Sequence, residues 1–275
     1  MDKLLVKIQN TDGSWDTVNV TDTRYLTDNR DRLSIKSVII PEGVTEIYEC
    51  AFSGCEMLES ITLPNSLRKI ASNAFEYSGL RFINIPDSVT EIGDYAFINC
   101  DLTTIKLGNG ITKIPEYLFS ECFNLENVFI PDSVTELEEY CFDYCENLKS
   151  IRLPDHIKEL PEGMCIKCKN LEYINIPKDC ISIGPETFED CHKLNGISLP
   201  IGLKSIGDNA FLNCKSLKNI NMPDSIESIG NFAFESAGLE EFCITNPNIK
   251  LGSRILFDCT NLIKLDIIMG IYEVI

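Results

Sequence analysis

Residues 200–222 read PIGLKSIGDNAFLNCKSLKNINM, and most of the chain is a variation on them. The same register gives PNSLRKIASNAFEYSGLRFINI from Pro64, PDSVTEIGDYAFINCDLTTIKL from Pro86 and PDSVTELEEYCFDYCENLKSIRL from Pro131, a period of 22 or 23 residues. A unit this short cannot bury its own apolar face, so self-similarity at this spacing predicts a solenoid in which each copy packs on its neighbours. The pattern L-x-x-I-x-L recurs from Ile35 onward. Its last two apolar positions alternate as one face of a strand does, and in-register stacking of the copies predicts a parallel sheet. Proline closes the pattern at 41, 64, 86, 131, 154, 177, 200 and 223, where it has no N–H for a ladder and starts a turn.

After the turn comes a second apolar pair, such as Val89/Ile92 or Ile226/Ile229, which predicts a brief second strand. Stretches such as Gly93–Phe97 then switch to helical spacing. Pro115, Pro161 and Pro185 stand where a first helical turn tolerates proline, so a turn or two of helix is expected in each copy. Phenylalanine recurs at 52, 75, 97, 119, 142, 188, 211 and 234 as an interior spine. Eight cysteines (55, 100, 122, 145, 168, 191, 214 and 259) share one repeat position, which makes them a packing column rather than a disulfide framework. The fold class expected is therefore an α/β repeat solenoid with a parallel sheet, short second strands and short helical turns.

Residues 1–32 do not fit the repeat. Leu4, Val6 and Ile8, then Asp12-Gly13, then Trp15, Val18 and Val20 predict a β-hairpin that serves as an N-terminal cap, with Trp15 packed in it. Residues 33–275 form the solenoid, about ten repeats ending in a half repeat that could leave the last rung open to end-to-end self-association.

The chain carries 42 acidic and 24 basic residues, a formal charge of −18. That balance argues against nucleic acid and anionic membranes and toward a neutral or basic protein or peptide partner. No apolar run is long enough to insert into a membrane, and residues 1–7 lack a secretory h-region. With thirteen cysteines, an odd number, the expectation is a reducing, cytoplasmic location; the alternative is the cell surface or secretion after N-terminal processing.

The consensus L-x-x-I-x-L-P-x-S-V-x-x-I-G-x-x-A-F-x-x-C, carried over about 35–275, resembles the BspA-like class of leucine-rich repeats of bacteria and some protists. The resemblance implies a right-handed superhelix with its sheet on the concave side and roles in adhesion and protein binding. On that geometry the strand residues flanking the central isoleucine line the concave face. Phe82, Asn84, Lys106, Asn127, Phe129, Arg152, Tyr173 and Asn175 are then the candidate partner-binding residues, because aromatics and Arg among Asn and Ser are the usual composition of a binding hot spot.

The leading expectation is a non-enzymatic interaction module, and the alternative is a surface adhesin for host matrix protein or glycan. A third is Cys-based or metal-dependent chemistry at Cys141, Cys145, Cys165 and Cys168. Against it, Cys145 and Cys168 belong to the packing column, and Cys165 replaces a spine phenylalanine. No catalytic residue, metal or cofactor is therefore expected.

Overall fold

The computed structural model describes residues 4–20 and 32–267. Residues 1–3 and 21–31 of the expected cap and nearly all of the half repeat and open end expected at the end of the chain lie outside them. Strands β1 (Leu4–Asn10) and β2 (Trp15–Val20) form the expected antiparallel hairpin. Its turn is shaped by Gly13 at φ 87° and by the Asp12 carboxylate, which accepts the Ser14 N–H and O–H. On its other side β1 pairs antiparallel with β3 (Ile35–Ile39), the first strand of the repeat, which pairs in parallel with Ser60–Thr62. The hairpin thus covers the edge of the first coil, burying Val6 and Ile8. Trp15 does not pack: it is 51% exposed, because the hairpin has one covered face and Trp15 lies off it.

Each coil runs strand, turn, second strand, turns. Where proline follows the strand its carbonyl accepts the N–H three residues on, as in Val89 to Pro86 and Leu203 to Pro200. The second strands are two residues long and stack in register, Ile47 on Ile70 on Ile92 and, further on, Leu160, Ile183, Ile206, Ile229 and Leu251. The first strands are also short. Instead of one continuous sheet they form shorter runs, two of which are extended by single bridges, Tyr173 to Gly196 and Asn219 to Glu241.

The expected helical turns are not found. Among the described residues the helical structure is one 3-10 segment, Arg32–Ser34, outside the repeats. The reason lies in where the backbone N–H groups go. Those of Ala51, Ser53 and Cys55 bond three residues back within their own turn, whereas those of Cys50, Phe52 and Gly54 bond the carbonyls of Ser72, Ala74 and Glu76 in the next coil. A helix would use every one of them locally. The alternation is possible because two residues per coil, four apart, take a left-handed backbone: Cys50 and Gly54, Tyr95 and Asn99, Asn209 and Asn213. Among the described residues every non-glycine positive φ falls at one of these two positions. Each costs about 1 kcal/mol or more for a residue with a Cβ, a cost offset by the bonds between coils.

The core is a set of columns. The spine phenylalanines stack with centroids 5.2–6.0 Å apart from Phe52 to Phe142 and resume from Phe188 to Phe234. Buried Cys165, with buried Met164 in the place that Ala holds elsewhere, interrupts them. The cysteine column does more than fill space. From Cys100 onward each Sγ–H donates to the carbonyl of the spine residue one coil back: Cys100 to Phe75 (2.9 Å), Cys122 to Phe97 (3.1 Å), Cys145 to Phe119 (3.2 Å) and Cys214 to Phe188 (3.2 Å). All thirteen thiols are free.

Among the described residues two side-chain oxygens are buried without a hydrogen-bond partner, Ser88 Oγ and Asp143 Oδ1. Asp143 is 7% exposed. Burial is the main cause that pushes its carboxyl up to about 6, with Ser120 donating against the shift.

Two outcomes follow from this packing. In native protein Cys50 and Cys243, which are exposed, react rapidly with a maleimide and half-buried Cys259 slowly, while the other ten thiols react only on unfolding; mass spectrometry of pulse-labelled protein counts them. For Asp143 the folded state holds its proton to higher pH than the unfolded chain does. Its contribution to stability is therefore lost as pH rises from about 4 to about 6. Asp143→Asn is expected to be near neutral below pH 4 and to stabilise by about 3 kcal/mol above pH 7; equal urea midpoints for the two proteins at neutral pH refute the assignment.

Candidate functional site

The first strand of each coil carries one inward residue flanked by two outward ones. Ile83 is buried between exposed Phe82 and Asn84, and Val128 between exposed Asn127 and Phe129, as the pleat requires. Parallel register then stacks Phe82 beside Thr104 beside Asn127, and Asn84 beside Lys106 beside Phe129. Further along, Ser150 stands beside Tyr173, whose ring leans over the next coil at Gly196, where a Cβ would come within 3.2 Å of the ring.

Phe82, Phe129 and Tyr173 are 56%, 58% and 54% exposed. The packing of their coils is complete without them, since Ile83, Val128 and Ile174 fill the interior. Phe82, Asn84, Thr104, Lys106 and Phe129 line a shallow groove of about 540 Å³, with Lys106 on the rung between those of the two rings. Such a groove can hold an apolar or aromatic group against the rings and an anionic group on the lysine.

The eight candidates divide in the structure. Phe82, Asn84, Lys106 and Phe129 share the groove, with Asn127 adjoining Thr104. Arg152, two rungs beyond Lys106, pairs with Asp132 at 3.1 Å, both side chains being largely exposed. Tyr173 extends the face one rung further. Asn175 is different: its Oδ1 accepts the Leu153 N–H at 2.8 Å and its Nδ2 donates to the Leu153 carbonyl at 2.9 Å. A carboxamide carries the same donor and acceptor as a peptide, so Asn175 replaces a ladder pair between two coils and is half-buried there. The sequence reading missed Thr104 in the groove, although its place in the column was visible, and Asp132, whose reach back to Arg152 no repeat position marks.

It also passed over a second aromatic row. Tyr95, Tyr117 and Tyr140 occupy one repeat position and stack with centroids 4.9 Å apart on the turn side. Tyr140 donates to Glu162 at 2.6 Å. Around them gather Asp94, Glu116, Glu138 and Glu139; burial first, then these like charges, raise the Glu116 carboxyl.

Cys141, Cys145, Cys165 and Cys168 are all buried. Cys145 and Cys168 spend their S–H on backbone carbonyls, and burial pushes the Cys141, Cys145 and Cys165 thiols well up, away from the thiolate that ligation or nucleophilic attack needs. Among the described residues no group of three or more His, Cys, Asp or Glu could hold a metal ion. No helix of the described residues is long and apolar enough to cross a membrane.

A family profile described as the BspA type leucine rich repeat region matches residues 30–85, 69–195 and 181–274. Among solved structures, a leucine-rich repeat protein from Bacteroides ovatus is 24% identical, covering 96% of this chain and 93% of that one with a TM-score of 0.52. The pneumococcal vaccine antigen PcpA is 20% identical over 92% of this chain and 68% of its own, with a TM-score of 0.55. These two share the fold. A protein from Faecalibacterium prausnitzii described as a leucine rich cell surface protein is 29% identical over 72% of this chain, which spans 62% of that protein's length, with a TM-score of 0.46. No curated protein matches the chain. Repeat consensus, stacked parallel coils and profile coincide over nearly the whole length, and the chain belongs to the BspA-type leucine-rich repeat family.

Proposed function

We propose that this chain is a non-enzymatic interaction module that binds a protein or peptide on its strand face. Residues 1–32 act as its cap, and residues 33–275 form a right-handed solenoid that presents the strand face on its concave side. The observation that carries the proposal is the row of exposed aromatic rings at Phe82, Phe129 and Tyr173, on coils whose interior is complete without them. Exposed aromatics flanked by Asn, Thr and a cation supply large contact area at small entropic cost, which is how a few residues come to dominate an interface. The deep burial of the cysteines supports a structural rather than a chemical role for them.

The second reading, an adhesin displayed outside the cell, uses the same face. It is favoured by family membership and by the location printed for the Faecalibacterium relative, whereas a cytoplasmic location has the free thiols as its support. Fractionation of the native organism with N-terminal sequencing separates the two. Phe129→Ala with Tyr173→Ala, both changes at exposed positions, is expected to leave the melting temperature unchanged. It is also expected to weaken a captured partner at least about tenfold, a loss of about 1.4 kcal/mol or more. Unchanged affinity in calorimetry with that partner removes the strand face from the proposal.

A further inference from the structure

The strand face differs in charge from the chain that carries it. We propose, as an extension of the strand-face reading above, that its occupant is an extended acidic peptide with apolar side chains at about every third residue and carboxylates between them. The chain as a whole is strongly acidic, yet the two outward columns hold no Asp or Glu from Ser37 to Asn221 while holding Lys106 and Arg152. In the flanking row Lys36 and Glu59 (3.7 Å) and Lys149 and Glu126 (3.3 Å) neutralise each other. Arg81, next to Phe82, and Lys106 form no ion pair among the described residues, although Lys106 is near enough to Asp87 to help hold its carboxyl down. Glu172, beside Tyr173, bounds the cationic stretch. The Arg152–Asp132 pair is exposed and therefore worth little, so a ligand carboxylate can compete for it.

Part of the negative charge lies on the turn side, with Asp94, Glu116, Glu138 and Glu139. At physiological ionic strength charges are screened over about 8 Å, so a ligand on the strand face responds to Lys106 and Arg81 rather than to the net charge. The proposal thus departs from the neutral or basic partner expected from composition: net charge is a sum, and a ligand meets a distribution.

Spacing supports an extended chain. Phe82, Lys106, Phe129, Arg152 and Tyr173 stand on five successive rungs, aromatic and cationic in alternation. With rungs about 4.8 Å apart, successive rings are separated by about 10 Å along the stack. A polyproline II-like peptide repeats every three residues over about 9 Å. Every third side chain therefore meets a ring, and those between meet a cation.

The test is selection of a phage-displayed random heptapeptide library on the full chain at physiological ionic strength. Binding of the winners is then measured on Lys106→Glu/Arg152→Glu and on Phe129→Ala/Tyr173→Ala. Heparin oligosaccharides and a neutral glycan array are probed in parallel. All four positions are exposed, and unchanged melting temperatures certify the fold. The expected winners are rich in Asp and Glu, carry apolar residues three apart, and bind the charge-reversed variant at least about tenfold more weakly. Winners that depend on the rings but are neutral or basic, or that ignore charge reversal, overturn the acidic assignment and leave the strand-face reading standing. Winners indifferent to both variants, no winners, or binding to glycans alone overturn both.

Discussion

The structure depends on how each coil divides its backbone N–H groups. Alternate donors in the turn segment close their own turn, and those between them bond the next coil. Buried backbone polar groups must be paired, and a coil of 22 or 23 residues has too few internal partners to pair them alone. Its neighbours are therefore obligatory. The left-handed residues at two fixed positions per coil are the local cost of that division. They also explain why no helix forms where the apolar spacing suggested one: a helix at Gly93–Phe97 would satisfy itself and leave the next coil without donors.

Once coils are locked at this spacing, columns follow. A phenylalanine at one position meets another about one rung away, so the rings stack in parallel from Phe52 to Phe142. A cysteine three residues further on finds the carbonyl of the previous spine residue within reach of its S–H. A small, apolar, weakly donating group suits that place. Cysteine at this position is therefore a structural choice, and the burial that suits it there also pushes the buried column thiols up, away from the reactive thiolate.

The proposed function uses the positions that this scheme leaves over. The outward strand residues are not needed for packing, so their chemistry is free to vary, and it does: Ser and Thr at the start, rings and cations in the middle, Asn and Ser beyond. Asn175 shows how narrow that freedom is, since an outward residue of the right type was recruited to bond Leu153 across the coils. The middle of the face carries rings and cations on an acidic protein, a contrast that exists only because stacking sorts residues of like repeat position into rows.

What the sequence by itself determined was periodic: the solenoid, its parallel strands, the proline turns, the phenylalanine spine, the cysteine column and the hairpin ahead of Ile35. Each is repeated or alternates at short range, so a one-dimensional pattern carries it. Tertiary structure decided what depends on neighbours a coil away. It replaced the helical turns with turns bonded to the next coil, and broke the sheet into short runs. It left Trp15 half exposed, buried Asp143 with an unpaired oxygen, and committed Asn175 to a backbone pair. It also assembled Phe82, Lys106 and Phe129, residues 22 or more apart in sequence, into one groove. These are contacts between copies, and a repeat read along the chain shows which residues share a position but not what stands beside them.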